Sequence, residues 1–130
     1  MKLYHGTKTK ELKIEKHIRS RYGFSAFFAT PNKTLAIQYA YHNFLKFNTG
    51  YLYAFNFNVD PFVVDFKKSV SHSSVFRNLV FQLQKSHHES VLIKNVIDYP
   101  TESLATYTPS EILIIFNLDL IQGIKMVGKY

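Results

Sequence analysis

Three stretches of this 130-residue chain place chemically useful side chains where strands begin or end. Tyr4-His5-Gly6-Thr7 sets an imidazole beside a glycine whose bare backbone a ligand can approach closely. Phe27 and Phe28 close an aromatic run, and Tyr39 follows on the next predicted helix. Glu111 opens the apolar run Glu111 to Phe116 and so carries a carboxylate at a strand end. Taken singly, each has a plain structural reading: a hydrogen-bonded histidine, aromatics in a core, an exposed glutamate. His87-His88-Glu89 contains metal-ligand types. Adjacent residues point in different directions and no matching cluster stands nearby, so no metal site is expected. The segment KSVSHSS at Lys68 to Ser74 lacks the sharp elbow and paired base of a serine nucleophile and reads as a loop with a helix cap.

The elements that must position these groups follow from periodicity and punctuation. Lys2 to His5 is an apolar-aromatic opening strand, and Glu11 to Ile18 is a candidate for one or two helical turns. Gly23 to Thr30 is a strand closed by Thr30-Pro31, which predicts a helix capped by Thr30. Its stripe of Leu35, Ala36, Tyr39, Ala40, Phe44 and Phe47 recurs at three and four, with an end near Asn48 to Gly50. Tyr51 to Phe57 alternates with period two, and Phe62 to Phe66 is a short strand after the corner at Asp60-Pro61. Ser71 to Lys85 is a second helix capped by a serine. Val91 to Ile97, Glu111 to Phe116 and Leu120 to Val127 complete the strands. This order predicts an α+β fold with helices set against antiparallel sheet.

Composition bounds the function. One domain over residues 1–130 is expected from length, and 46% hydrophobic with 16% aromatic residues is enough apolar material to offset ordering entropy. The absence of cysteine excludes a disulfide scaffold, a zinc-thiolate site and a cysteine nucleophile. No apolar window has the length of a signal peptide core or a membrane span, so the expected location is cytoplasm, of the producing cell or of a target cell, with no membrane partner. A formal charge of +7 favours anionic partners such as a dinucleotide or nucleic acid. The absence of G-x-G-x-x-G and of a P-loop means that a bound dinucleotide is not held by a Rossmann unit.

Read together, YHGTK at Tyr4 to Lys8, GFSAFFATPNKTLAIQYA at Gly23 to Ala40, GYLYAFNFNVDPFVVDF at Gly50 to Phe66 and SEILIIFNLDLI at Ser110 to Ile121 resemble the ADP-ribosyltransferase superfamily, in its diphtheria-toxin-like and poly(ADP-ribose)-polymerase-like branch. The resemblance covers nearly the whole chain and implies a split β-sandwich that binds NAD as co-substrate. It implies that His5 hydrogen-bonds the adenosine ribose, that the Gly6 backbone takes the nicotinamide carboxamide with Thr7 beside it, and that Phe27 and Tyr39 sandwich the nicotinamide ring. Glu111 would hold the nicotinamide-ribose 2'-hydroxyl and stabilise the sugar cation electrostatically. Arg21, with Arg19, is the candidate grip on the pyrophosphate.

Two departures qualify the match. Phe27 stands where the pattern has tyrosine, which keeps stacking and loses a hydroxyl. Pro109 stands two residues before Glu111, where arginine-modifying members carry a second acid. The implied activity is mono-ADP-ribosylation of a macromolecular acceptor, nucleic acid or protein, by a toxin or effector with a possible immunity or antitoxin partner. Competing readings are an NAD glycohydrolase, a basic RNA-binding module or metal-free ribonuclease using His5 and Lys8, and an inactive member that only binds a partner.

Overall fold

The computed structural model describes residues 1–14, 22–41, 49–100 and 108–130, and the backbone of 18–19. Nine strands and two α-helices are found among these residues. They are β1 (Lys2–Thr7), β2 (Ile18–Arg19), β3 (Phe24–Ser25), β4 (Phe27–Ala29), α1 (Lys33–Tyr41), β5 (Tyr51–Asn56), β6 (Phe62–Val70), α2 (Ser74–Lys85), β7 (Ser90–Ile97), β8 (Ser110–Ile115) and β9 (Lys125–Lys129). The chain is a mixed α+β fold.

Two main sheets form, a three-stranded one ordered β1-β5-β9 and a four-stranded one ordered β4-β8-β7-β6, with β2 and β3 as a small separate ladder. Among the described residues the main sheets meet at one isolated bridge, where Tyr4 and Thr30 exchange backbone hydrogen bonds of 2.8 and 2.9 Å. Between them lies a core of Leu3, Phe27, Ala29, Phe55, Phe57, Leu92, Leu113 and Ile115. Side chains on opposite faces of a strand alternate, so the neighbours Ile112 and Ile114 belong to a second core, with Val91, Ile93 and the α2 residues Phe76, Val80 and Leu83. Strand β8 is therefore buried on both faces, which explains its unbroken apolar run.

Helix α1 covers the other side of the three-stranded sheet, burying Leu35, Ala36 and Ala40. The approach is close enough to require glycine. A Cβ on Gly6 would lie 1.8 Å from the Ala36 carbonyl oxygen, and one on Gly50 would lie 1.7 Å from that of Ala40.

Several expectations from sequence are corrected here. The cap of α1 is Asn32, whose Oδ1 accepts from Leu35 N at 3.1 Å; Thr30 stands two residues earlier, its hydroxyl accepting from Asn32 N at 3.1 Å and donating to the Glu111 carbonyl at 2.7 Å. The end of this helix expected near Asn48 falls beyond Tyr41, next to residues 42–48, which lie outside the described residues. Of the candidate helical turns over Glu11 to Ile18, Glu11 to Lys13 are not helical, Ile14 is in 3-10 conformation, Ile18 belongs to β2, and residues 15–17 lie outside the described residues. Strands β6 and β7 pair in parallel, with α2 as their crossover, so the sheet is mixed rather than antiparallel. The predicted serine cap of α2 is found at Ser73, whose side chain accepts from Phe76 N. The last strand starts at Lys125, after a short 3-10 turn over Leu118–Leu120.

Candidate functional site

Where β1 and β4 part beyond their one bridge, a cavity of about 450 Å³ opens beneath α1 and beside the start of α2. That is within the size range of small-molecule sites. Its walls come from β1 (Tyr4, His5, Gly6), from β4 and the turn after it (Phe28, Thr30), from α1 (Tyr39) and from the ends of β6 and β7 (Ser71, His72, Asp98).

His5 is held firmly. Its ring is buried, lies 4.3 Å from the Phe27 ring, and has Nδ1 at 2.6 Å from the Phe28 carbonyl oxygen. A carbonyl only accepts, so Nδ1 carries the proton, and in the neutral ring Nε2 is then the basic nitrogen. Gly6, two residues beyond Tyr4, shares its direction of hydrogen bonding in the antiparallel ladder with β5. Because Tyr4 bonds towards Thr30, the Gly6 N–H and C=O also point to the β4 side, where the isolated bridge has already ended. The cavity thus has an open strand edge offering one donor and one acceptor.

Opposite this edge stands a polar cluster. The Tyr39 hydroxyl lies 2.7 Å from Asp98 Oδ1 and 3.3 Å from the Tyr99 carbonyl, so its single proton goes to the nearer carboxylate. Ser71 Oγ also donates to Asp98 Oδ1, as does the Tyr99 backbone N–H at 3.0 Å. His72 donates from Nε2 to the Tyr99 carbonyl, and its ring stacks on Tyr99 at 4.9 Å. The same nitrogen is 3.9 Å from Asp98 Oδ1, a distance that becomes an ion pair when His72 is protonated.

The structure brings His5, Gly6 and Tyr39 into one cavity. Other expected members stand elsewhere. Phe27 is wholly buried in the core between the sheets, and the adjacent Phe28, on the opposite face of β4, is the aromatic that lines the cavity. The reason is strand alternation, which sends neighbouring side chains to opposite sides. Thr7, at the end of β1 opposite Tyr51, is not among the lining residues. Neither is Glu111. Alternation turns its side chain to the face of Leu113 and Ile115, while Ile112 next to it lines the cavity. Its backbone remains adjacent, through the bond from Thr30. Arg21 lies outside the described residues, as does the side chain of Arg19.

Asp98 and Ser71 were not singled out from sequence. A signal was available for Asp98: two successive interior strands tend to pair antiparallel, which brings the end of the first, Asp98, beside the start of the second, Glu111. Among the described residues no group of three or more metal-ligating side chains occurs, and no helix is long and apolar enough to cross a membrane. His88 stacks on Phe62 with ring centres 4.0 Å apart.

No protein family, curated protein or solved structure matches this chain.

Proposed function

We propose that the chain is a mono-ADP-ribosyltransferase that cleaves NAD and passes ADP-ribose to a macromolecular acceptor. The observation that carries this reading is the meeting of His5, Gly6 and Tyr39, from separate parts of the chain, at one cavity at the parting of two sheets. The wall chemistry suits the nicotinamide-ribose end of the dinucleotide. The Gly6 edge offers an N–H and a C=O, the pairing that a carboxamide requires. Phe28 and Tyr39 contribute aromatic surface to the wall, which suits an aromatic base. A cavity of about 450 Å³ suits a ring and its sugar more readily than a whole dinucleotide, so the adenylate half would extend towards solvent.

The reaction asks little proton chemistry of these residues. The bond between the nicotinamide nitrogen and the ribose carbon breaks with its electron pair leaving on nitrogen, so a cationic ring departs neutral. An acceptor nucleophile then bonds to that carbon and loses a proton. The protein's part is to orient the ring, exclude water and set negative charge against the positive charge that develops on the sugar.

The test is incubation of the protein with labelled NAD, alone and with a whole-cell lysate. The reading expects free nicotinamide and a labelled macromolecule whose sensitivity to nuclease or protease identifies the acceptor class. Nicotinamide release in full without any acceptor would instead assign a glycohydrolase. Release no faster than the protein-free blank in both incubations would end the proposal.

A further inference from the structure

We infer that Asp98 is the carboxylate of this site, and that its Oδ2 accepts a hydrogen bond from a hydroxyl of the substrate's nicotinamide-side ribose. The inference rests on the proposed NAD cleavage and deepens it, because the resemblance assigns this role to Glu111. Asp98 lines the cavity with only 10% of its side chain exposed. Every hydrogen bond it receives among the described residues ends on one oxygen: Tyr39 at 2.7 Å, the Tyr99 N–H at 3.0 Å and Ser71 all reach Oδ1. Oδ2 receives none of them.

A carboxylate oxygen on a side chain nine-tenths removed from solvent is costly without a donor, and native structures satisfy such atoms by protein, water or ligand. Three donors on Oδ1 fix the rotation of the group, so Oδ2 is a preoriented acceptor. A carboxylate only accepts, which means that the ligand must bring the proton. The donors at the reacting end of NAD are the carboxamide N–H and the two ribose hydroxyls. The carboxamide is the better partner for the Gly6 edge, which offers both a donor and an acceptor. Asp98 is thereby left to the sugar, where its negative charge also lies against the cation that forms as the base departs.

The decisive comparison is nicotinamide release by wild type, Asp98→Asn and Glu111→Gln, with thermal unfolding of each. Asparagine keeps the Oδ1 acceptor for Tyr39, Ser71 and Tyr99 while replacing Oδ2 by a donor. A purely structural Asp98 therefore tolerates it. The inference expects a loss of about a hundredfold in Asp98→Asn with the fold retained, and a change of less than threefold in Glu111→Gln. A second arm uses NAD analogues lacking one hydroxyl of the nicotinamide-side ribose, on the wild type and on Asp98→Asn. At least one should be cleaved about a hundredfold more slowly, and in Asp98→Asn the same analogue should lose no more than about threefold. Wild-type turnover retained by Asp98→Asn, or indifference of the wild type to both deoxy analogues, overturns the inference and leaves the proposed function standing. A wild type that releases no nicotinamide overturns both.

Discussion

The cavity has two walls built on different principles. On the β1 side the wall is backbone against backbone: Gly6 lets α1 approach so closely that no side-chain atom fits between, as Gly50 does farther along the same helix. On the side formed by the ends of β6 and β7 the wall is a set of polar side chains, with Tyr39 and Ser71 converging on Asp98. The first is fixed by excluded volume and tolerates nothing added. The second is held by hydrogen bonds of modest net strength that can be removed one at a time. Behind it the strands themselves are irregular. The β6–β7 ladder shifts register between Asp65 and Ser69, and Lys67, Lys68 and Asn95 all take positive φ there. Shape thus fixes the position of Gly6, whereas hydrogen bonding fixes the position of the carboxylate.

The contrast predicts effects of very different size. Gly6→Ala should be the most damaging single change, since the new Cβ meets two backbone atoms of α1 within 2.8 Å. The loss should exceed the ~1–3 kcal/mol of ordinary overpacking, as read from urea unfolding, and Gly50→Ala should behave alike. If both unfold as the wild type does, α1 does not sit where this wall requires.

Tyr39→Phe comes next. It removes one donor from Asp98 Oδ1 while keeping the ring, and should cost about 1–2 kcal/mol in the same assay. A loss in the Gly6→Ala range would mean that the polar wall is as rigid as the backbone wall.

At the bulge the expected sign reverses. Lys68 holds φ 64°, a left-handed conformation that costs a non-glycine residue roughly 1–2 kcal/mol. Glycine relieves it but adds unfolded-state freedom of roughly 0.5–1 kcal/mol. Lys68→Gly should therefore stabilise slightly, by about 0.5 kcal/mol, seen as a higher urea midpoint. A lower midpoint would show that the Lys68 side chain contributes more than its backbone costs.

The smallest effect concerns acid. Asp65 is exposed, and its pKa is lowered first by the hydrogen bond from the Asn95 side chain and then by that from the Lys67 N–H. A carboxylate held below its ordinary value contributes stability that is present above the unfolded-state pKa and disappears as pH falls through the folded-state pKa. The urea midpoint of the wild type should exceed that of Asp65→Ala at neutral pH, and the difference should shrink progressively as pH falls below the ordinary carboxylate range. A gap independent of pH would assign the effect to packing.

Much of the architecture was legible before any coordinates. Period-two alternation marked Tyr51–Asn56, apolar runs marked Ser90–Ile97 and Ser110–Ile115, and a serine before a helical stripe marked Ser74–Lys85. These signals are local: they depend on what a residue's neighbours in its own element bury. The convergence of His5, Gly6 and Tyr39 on one cavity is not a local signal, because no spacing along the chain states that β1 and α1 share a hollow.

Tertiary structure decided what local pattern leaves open. Periodicity says that neighbouring residues face opposite sides but not which side meets the cavity, and this choice exchanged Phe28 for Phe27 and turned Glu111 away. Pairing partners are chosen by the whole sheet, which made β6 and β7 parallel and carried Ser71 to Asp98. The cap of α1 fell to Asn32, while the Thr30 hydroxyl ties the helix entry to β8, accepting from Asn32 N and donating to the Glu111 carbonyl. The sequence by itself determined which segments form strands and helices, because that follows from short-range burial. Only the assembled fold decided which carboxylate faces the cavity, because that follows from register and crossover.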